Sequence, residues 1–113
     1  MGNEISIGKA GGVTIIKFTG HVDSDSYTVL GNALDNLLKQ GTTKIVVDLS
    51  EVTYMSSAGW GVLVGNLKKA RDNRGNIVLA ALSEEVKAVY ELIEFNEIIK
   101  SYNTVEAAVK SFS

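Results

Sequence analysis

Apolar positions along this chain switch between two periods. Ile5 and Ile7 alternate with polar neighbours as an edge strand would, and Gly11-Gly12 interrupts them. Residues 13–18 (Val-Thr-Ile-Ile-Lys-Phe) predict a second strand with imperfect alternation, and Gly20-His21-Val22-Asp23 closes this hairpin-like unit. Tyr27, Leu30, Leu34, Leu37 and Leu38 then fall at helical spacing, with Ser24 or Asp25 available as cap and Gly41 as stop. Residues 44–49 are nearly continuous in apolar character, the pattern of a strand buried on both faces. A second helix is expected over about 57–73, ending near Gly75, and 76–81 reads as another buried strand. Ser83 with Glu84 or Glu85 opens a third helix bearing Val86, Val89, Tyr90 and Ile93 on one face. Residues 98–102 form a weak, short strand. Thr104 caps a last helix whose Val105, Ala108, Val109 and Phe112 recur at i, i+3, i+4 and i+7.

The resulting order, β-β-α-β-α-β-α-β-α, calls for an α/β domain with a mostly parallel sheet and right-handed crossovers. Sites in such sheets sit beyond the carboxyl ends of the strands. With 113 residues the chain is expected to form one domain, 1–113, large enough to fold without staples.

Composition removes several function classes. Cysteine is absent, which excludes disulfides, thiolate metal sites and cysteine nucleophiles, and fits a reducing cytosol without requiring one. His21 is the sole histidine, so a metal site is not expected and His21 is read as a surface-loop residue. Acidic and basic residues are mixed to a formal net charge of -2, with no basic footprint for nucleic acid. No apolar run approaches a membrane span, and no signal peptide is recognisable. The cluster Lys68-Lys69-Ala70-Arg71 reads as a solvated helix face able to pair with an acidic partner.

The informative stretch runs from Asp48 to Leu63: Asp48-Leu49-Ser50-Glu51-Val52-Thr53-Tyr54-Met55-Ser56-Ser57-Ala58-Gly59-Trp60-Gly61-Val62-Leu63. It follows a buried strand and opens a helix, with residues 50–57 expected as a loop at the rim. Ser56 and Ser57 lie at the helix start, where free N–H groups and the dipole favour an anion by roughly 0.3–1 kcal/mol. A phosphoserine there adds nearly two charges without breaking the fold, and a serine in that place also serves simply as a cap. Gly59, Gly61 and Gly65 each cost a helix about 1 kcal/mol relative to Ala, so each needs a reason: close packing on the sheet or close approach of a partner.

These residues resemble the STAS-domain signature of bacterial anti-sigma factor antagonists, Asp-Leu-Ser-x-Val-x-Tyr-Met-Asp-Ser-(Ser/Ala/Thr)-Gly-Leu-Gly-Val-Leu. Phe18-Thr19-Gly20-His21-Val22-Asp23 is similar to the family's Leu-x-Gly-Glu-Leu-Asp. The resemblance covers essentially the whole chain. It implies a four- to five-stranded sheet with helices mainly on one side and a cytoplasmic, non-enzymatic switch without cofactor. The unphosphorylated form would bind an anti-sigma factor that is itself a serine kinase, releasing a sigma factor. Phosphorylation would end binding, and a protein phosphatase would restore it. The family's acceptor falls on Ser57, with Ser56 as rival because it stands where the family has Asp. His21, Asp23, Ser56, Ala58, Gly59 and Gly61 would line the partner surface. Asp23 is read equally well as a cap for the first helix, and Asp48 as a structural residue bonding local N–H groups. Trp60 replaces the usual Leu, and core packing is favoured for it over an exposed anchor.

Two other classes stand beside this reading. One is a STAS-type scaffold that assembles regardless of phosphate. The other is an enzyme, for which support is absent: Ser57 lacks a Gly-x-Ser-x-Gly elbow, since position 55 is Met, and Gly59, Gly61 and Gly65 miss the dinucleotide fingerprint by one residue.

Overall fold

The computed structural model describes residues 3–113. Its order is β1 (Glu4–Ala10), β2 (Val13–Val22), α1 (Tyr27–Lys39), β3 (Lys44–Met55), α2 (Ser57–Asp72), β4 (Asn76–Ala80), α3 (Glu84–Leu92), a 3-10 turn (Phe95–Glu97), β5 (Ser101–Tyr102) and α4 (Val105–Lys110). The five strands lie in sequence order, β1 antiparallel to β2 and all other neighbours parallel. Helices α1, α2 and α3 bury Leu30, Leu34, Trp60, Leu63, Val86 and Tyr90 against one face. Among the described residues only α4 covers the other, setting Ala108 against Val46, Val78 and Ala80. Residues 45–49 are buried on both sides, as their apolar run requires. Asp35 bridges α1 to α2 through Lys69 at 3.2 Å, an exposed pair of little energetic weight.

Expected boundaries shift in three places. The strand over 98–102 contracts to Ser101–Tyr102, because the chain first makes the 3-10 turn at Phe95–Glu97. The first helix begins after Ser26, and neither Ser24 nor Asp25 caps it.

The third difference shapes the site. Residues 50–55 are not a rim loop but strand, continuing β3 beyond its last pairing with β4 at Asp48–Ala80. They pair with β2 alone, Thr19 to Val22, and form a two-stranded overhang. Two irregularities hid it from a period-2 reading. Lys17 pairs with Asp48 but Thr19 with Glu51; Gly20 pairs with Val52 but His21 with Tyr54. Each places an extra residue in β3. Burial there runs in threes, with Leu49, Val52 and Met55 inward. Asp48 stabilises the first irregularity by accepting the Ser50 N–H on Oδ1 at 2.9 Å, the structural role expected of it. Gly20 supplies a φ of 119° at the second, in a region where a side chain is strained.

Candidate functional site

The overhang delivers the ends of β2 and β3 to one edge of the molecule, where α1 and α2 begin. Ser56 N–H donates to the Val22 carbonyl at 2.7 Å, tying the start of α2 to the end of β2. The tip therefore unites His21, Asp23, Tyr54, Ser56 and Ser57 from two motifs far apart in sequence.

The adjacent serines have different tasks. Ser56 is the N-cap of α2: its backbone is extended (φ -76°, ψ 169°) and its Oγ accepts the Gly59 N–H at 3.2 Å. It is half-buried. Ser57 is the first residue of α2, exposed, and among the described residues its hydroxyl is in no hydrogen bond. Ser57 Oγ is open to an added group, whereas Ser56 Oγ is already engaged with the Gly59 N–H.

The three glycines separate equally clearly. Gly59 is buried, and a Cβ there would lie 2.5 Å from Met55 Sδ and 2.7 Å from Val22 Cγ1. It lets α2 seat against the overhang, so it does not lie on the partner surface expected of it. Gly61 and Gly65 are exposed, and a Cβ at either meets nothing within 4 Å. The fold gives no reason for those two. With half-buried Ala58, Gly61 leaves a low, nearly bare helix face beside Ser57. Gly61→Ala is accordingly expected to stabilise the isolated chain by up to about 1 kcal/mol in thermal melting. Gly59→Ala is expected to destabilise it, because overpacking costs about 1–3 kcal/mol and outweighs the helix gain.

Asp23 organises the turn into α1. Its Oδ1 accepts the N–H groups of Asp25 and Ser26 and the Ser26 hydroxyl, each at 3.0 Å, and its carbonyl accepts from Tyr27 N–H at 3.0 Å. The buried Ser26 hydroxyl also bonds the His21 carbonyl. Asp23 therefore does not itself cap α1, contrary to the capping reading; its carboxylate closes the turn before the helix, whose N-cap position is Ser26. The Asp25 N–H, the Ser26 hydroxyl and the Ser26 N–H, in that order, hold the Asp23 carboxyl below its ordinary value of 3.8. Because the folded value lies below the unfolded one, this contribution is complete above about pH 4 and is lost as pH falls through the folded value. Amide shifts of Asp25 and Ser26 should titrate with a midpoint below 3.8 and stay flat in Asp23→Ala. A midpoint at or above 3.8 contradicts the bonding described.

His21 lies in strand β2, exposed, and not in a loop as expected. Its N–H donates to Asn3 Oδ1 at 3.0 Å. Opposite it stands Tyr54, 54% exposed, an aromatic ring at the tip that pattern reading passed over. Trp60 is in the core, 5% exposed, edge-on to Phe95 at 4.9 Å and tilted against Tyr90 at 6.2 Å. Among the described residues no cluster of three or more His, Cys, Asp or Glu side chains could hold a metal, and no helix is long and apolar enough to cross a membrane.

The STAS-domain family model matches residues 4–108. The chain belongs to the STAS-domain family of anti-sigma factor antagonists. It is 31% identical over 109 residues to BtrV of Bordetella bronchiseptica, assigned to the anti-sigma factor antagonists; the match covers 96% of this chain and 94% of BtrV. It is also 31% identical over 84 residues to the anti-sigma-B factor antagonist of Listeria monocytogenes, 74% of each chain. The fold recurs in the Bacillus protein SpoIIAA at 17% identity. Its unphosphorylated form gives a TM-score of 0.79, covering 96% of each chain. Its phosphorylated form gives 0.73, covering 97% of this chain and 100% of SpoIIAA. Within the STAS fold, the Asp-Leu-Ser stretch is the irregularity that launches the overhang, and the Gly-His-Val-Asp stretch is the partner strand that carries it to α1.

Proposed function

We propose that this STAS domain is an anti-sigma factor antagonist switched by phosphate on Ser57. The unphosphorylated chain binds an anti-sigma factor at the tip of the overhang and frees a sigma factor. The anti-sigma factor is a serine kinase, and its transfer of phosphate to Ser57 ends the complex. A protein phosphatase resets the switch. The chain itself performs no catalysis, needs no cofactor and works in the cytoplasm.

The observation that carries this reading is the division of labour between the serines. Ser57 is exposed with an unengaged hydroxyl at the helix start, while the Ser56 hydroxyl caps α2. A kinase can reach the first without unfolding anything. Ala58 and Gly61 beside it keep the surface low, so a partner can approach the backbone closely. SpoIIAA shows that this fold is compatible with a phosphorylated form. A phosphate enclosed in a close interface loses its water, and an unpaired buried ion costs several kcal/mol. Each 1.4 kcal/mol is tenfold in affinity, so the complex dissociates without any change of fold. His21 and Tyr54 rim the same surface and supply the polar and aromatic contacts that fix the partner's register.

Calorimetric titration with the cognate anti-sigma factor tests this reading. Binding is expected with ADP present and is expected to be lost after incubation with ATP. A complex of equal strength under both conditions means a constitutive scaffold instead.

A further inference from the structure

The last turn of α3 carries an apolar surface that the fold leaves uncovered. Val89, Leu92 and Ile93 stand at i, i+3 and i+4, so their side chains are neighbours on one side of the helix. They are 39%, 81% and 45% exposed. Leu92 is the most exposed large hydrophobic side chain among the described residues. The inward side of α3 is satisfied by Val86 and Tyr90, which are buried, so this stripe is surplus to the core.

The charge around the stripe has one sign. Five glutamates lie between Glu84 and Glu97, against the single base Lys87. Glu85 lies one turn before Val89 on the same side, and Glu91 and Glu94 adjoin Leu92 and Ile93 in the chain. Among the described residues none of the five is in an ion pair; both pairs in the structure belong to Asp35. Lys87 lies to the other flank, beside Ala81 and Tyr102. Two further cations are in the neighbourhood: Lys100 lies near Tyr90 and Asn96, and Arg71 directs a guanidinium N–H to the Ile98 carbonyl at 3.5 Å.

We propose that this face of α3 is a second docking surface, for a cationic amphipathic helix of another protein. Three apolar side chains at i, i+3 and i+4 match the apolar ridge of such a helix, and unpaired carboxylates beside them match its lysines or arginines. An acidic or neutral partner would leave those carboxylates without compensation. The surface shares no residue with the Ser57 site: α3 runs from the overhang, where Ser83 Oγ bonds the Val52 carbonyl, to Leu92, about 12 Å along its axis at 1.5 Å per residue. The proposal does not depend on Ser57 being phosphorylated.

The test titrates the intact, isotope-labelled chain with a synthetic helical peptide of about fourteen residues, leucines on one face and lysines on the other, followed by amide shifts. Saturable shifts confined to residues 84–98 are expected. Leu92→Ser should weaken binding by about tenfold with an unchanged melting temperature, since Leu92 is 81% exposed. Added salt should weaken it further, and Ser57→Asp should bind as the parent does. A lysine-serine peptide of equal charge should bind far more weakly. Shifts centred elsewhere, equal binding of the lysine-serine peptide, or undiminished binding by Leu92→Ser would overturn the proposal. So would self-association of the chain abolished by Leu92→Ser, which would assign the face to a second copy.

Discussion

Trp60→Ala is expected to lose about 3–5 kcal/mol of stability, lowering the melting temperature by on the order of 10–20 °C. The indole is enclosed by α2, α3 and the 3-10 turn, edge-on to Phe95 at 4.9 Å, with Tyr90 at 6.2 Å on another side. Tyr90 is itself fixed by its hydroxyl, which donates to the Ile99 carbonyl at 2.6 Å, so the surroundings cannot collapse into the space left behind. The loss combines transfer of a large apolar surface with a cavity that stays open. Trp60→Phe sharpens the argument. The buried Trp60 Nε1 has no hydrogen-bond partner among the described residues, and leaving such a donor unpaired costs about 1–3 kcal/mol. Phenylalanine removes that donor and retains most of the apolar contact, so it should recover well over half of the alanine loss. Thermal melting of the three proteins decides the matter. An unchanged melting temperature for Trp60→Ala, with partner affinity lost, would place the ring in the interface instead.

Ser57→Asp is expected to weaken anti-sigma factor binding by roughly a hundredfold or more, equivalent to about 2.7 kcal/mol. The carboxylate carries less charge than a phosphate, yet a close interface must strip it of water without offering a partner. Ser57→Ala removes only an exposed hydroxyl in no internal bond, so it should bind as tightly as the parent and keep its partner when ATP is added. Stability should respond differently. Neither change touches a cap or the core, and an acidic group in the first turn of α2 interacts favourably with the helix dipole. Melting temperatures at or slightly above the parent's, with opposite binding behaviour, are therefore the signature of a switch residue. Ser56→Ala is the contrast: it deletes the hydroxyl that accepts the Gly59 N–H and should cost about 1 kcal/mol of stability.

Regular periodicity made the layers of this fold legible. Leu30, Leu34 and Leu37 announced α1, the apolar run at 45–49 announced a central strand, and Thr104 announced α4; each occupies its expected place. The overhang was not legible, because each of two irregularities puts one more residue in β3 than in β2 and so breaks the alternation. Polar Ser50, Glu51 and Thr53 then looked like a loop. The same irregularities hid Tyr54, whose exposure follows from register and not from residue type. Ser57 and Asp23 stood out from spacing and resemblance. That Ser56 caps while Ser57 is free follows from the backbone turning helical one residue later, a distinction of φ and ψ that two identical letters cannot carry. Gly59 and Gly61 looked alike for a similar reason: only the seating of α2 on Val22 and Met55 separates the buried glycine from the open one.

The central claim is that the exposed serine, and not the capping one, receives the phosphate. Phosphopeptide mapping of the chain after incubation with its anti-sigma kinase and ATP reads this directly. The account predicts a single phosphate, on Ser57. Phosphate found on Ser56 with Ser57 unmodified would contradict it.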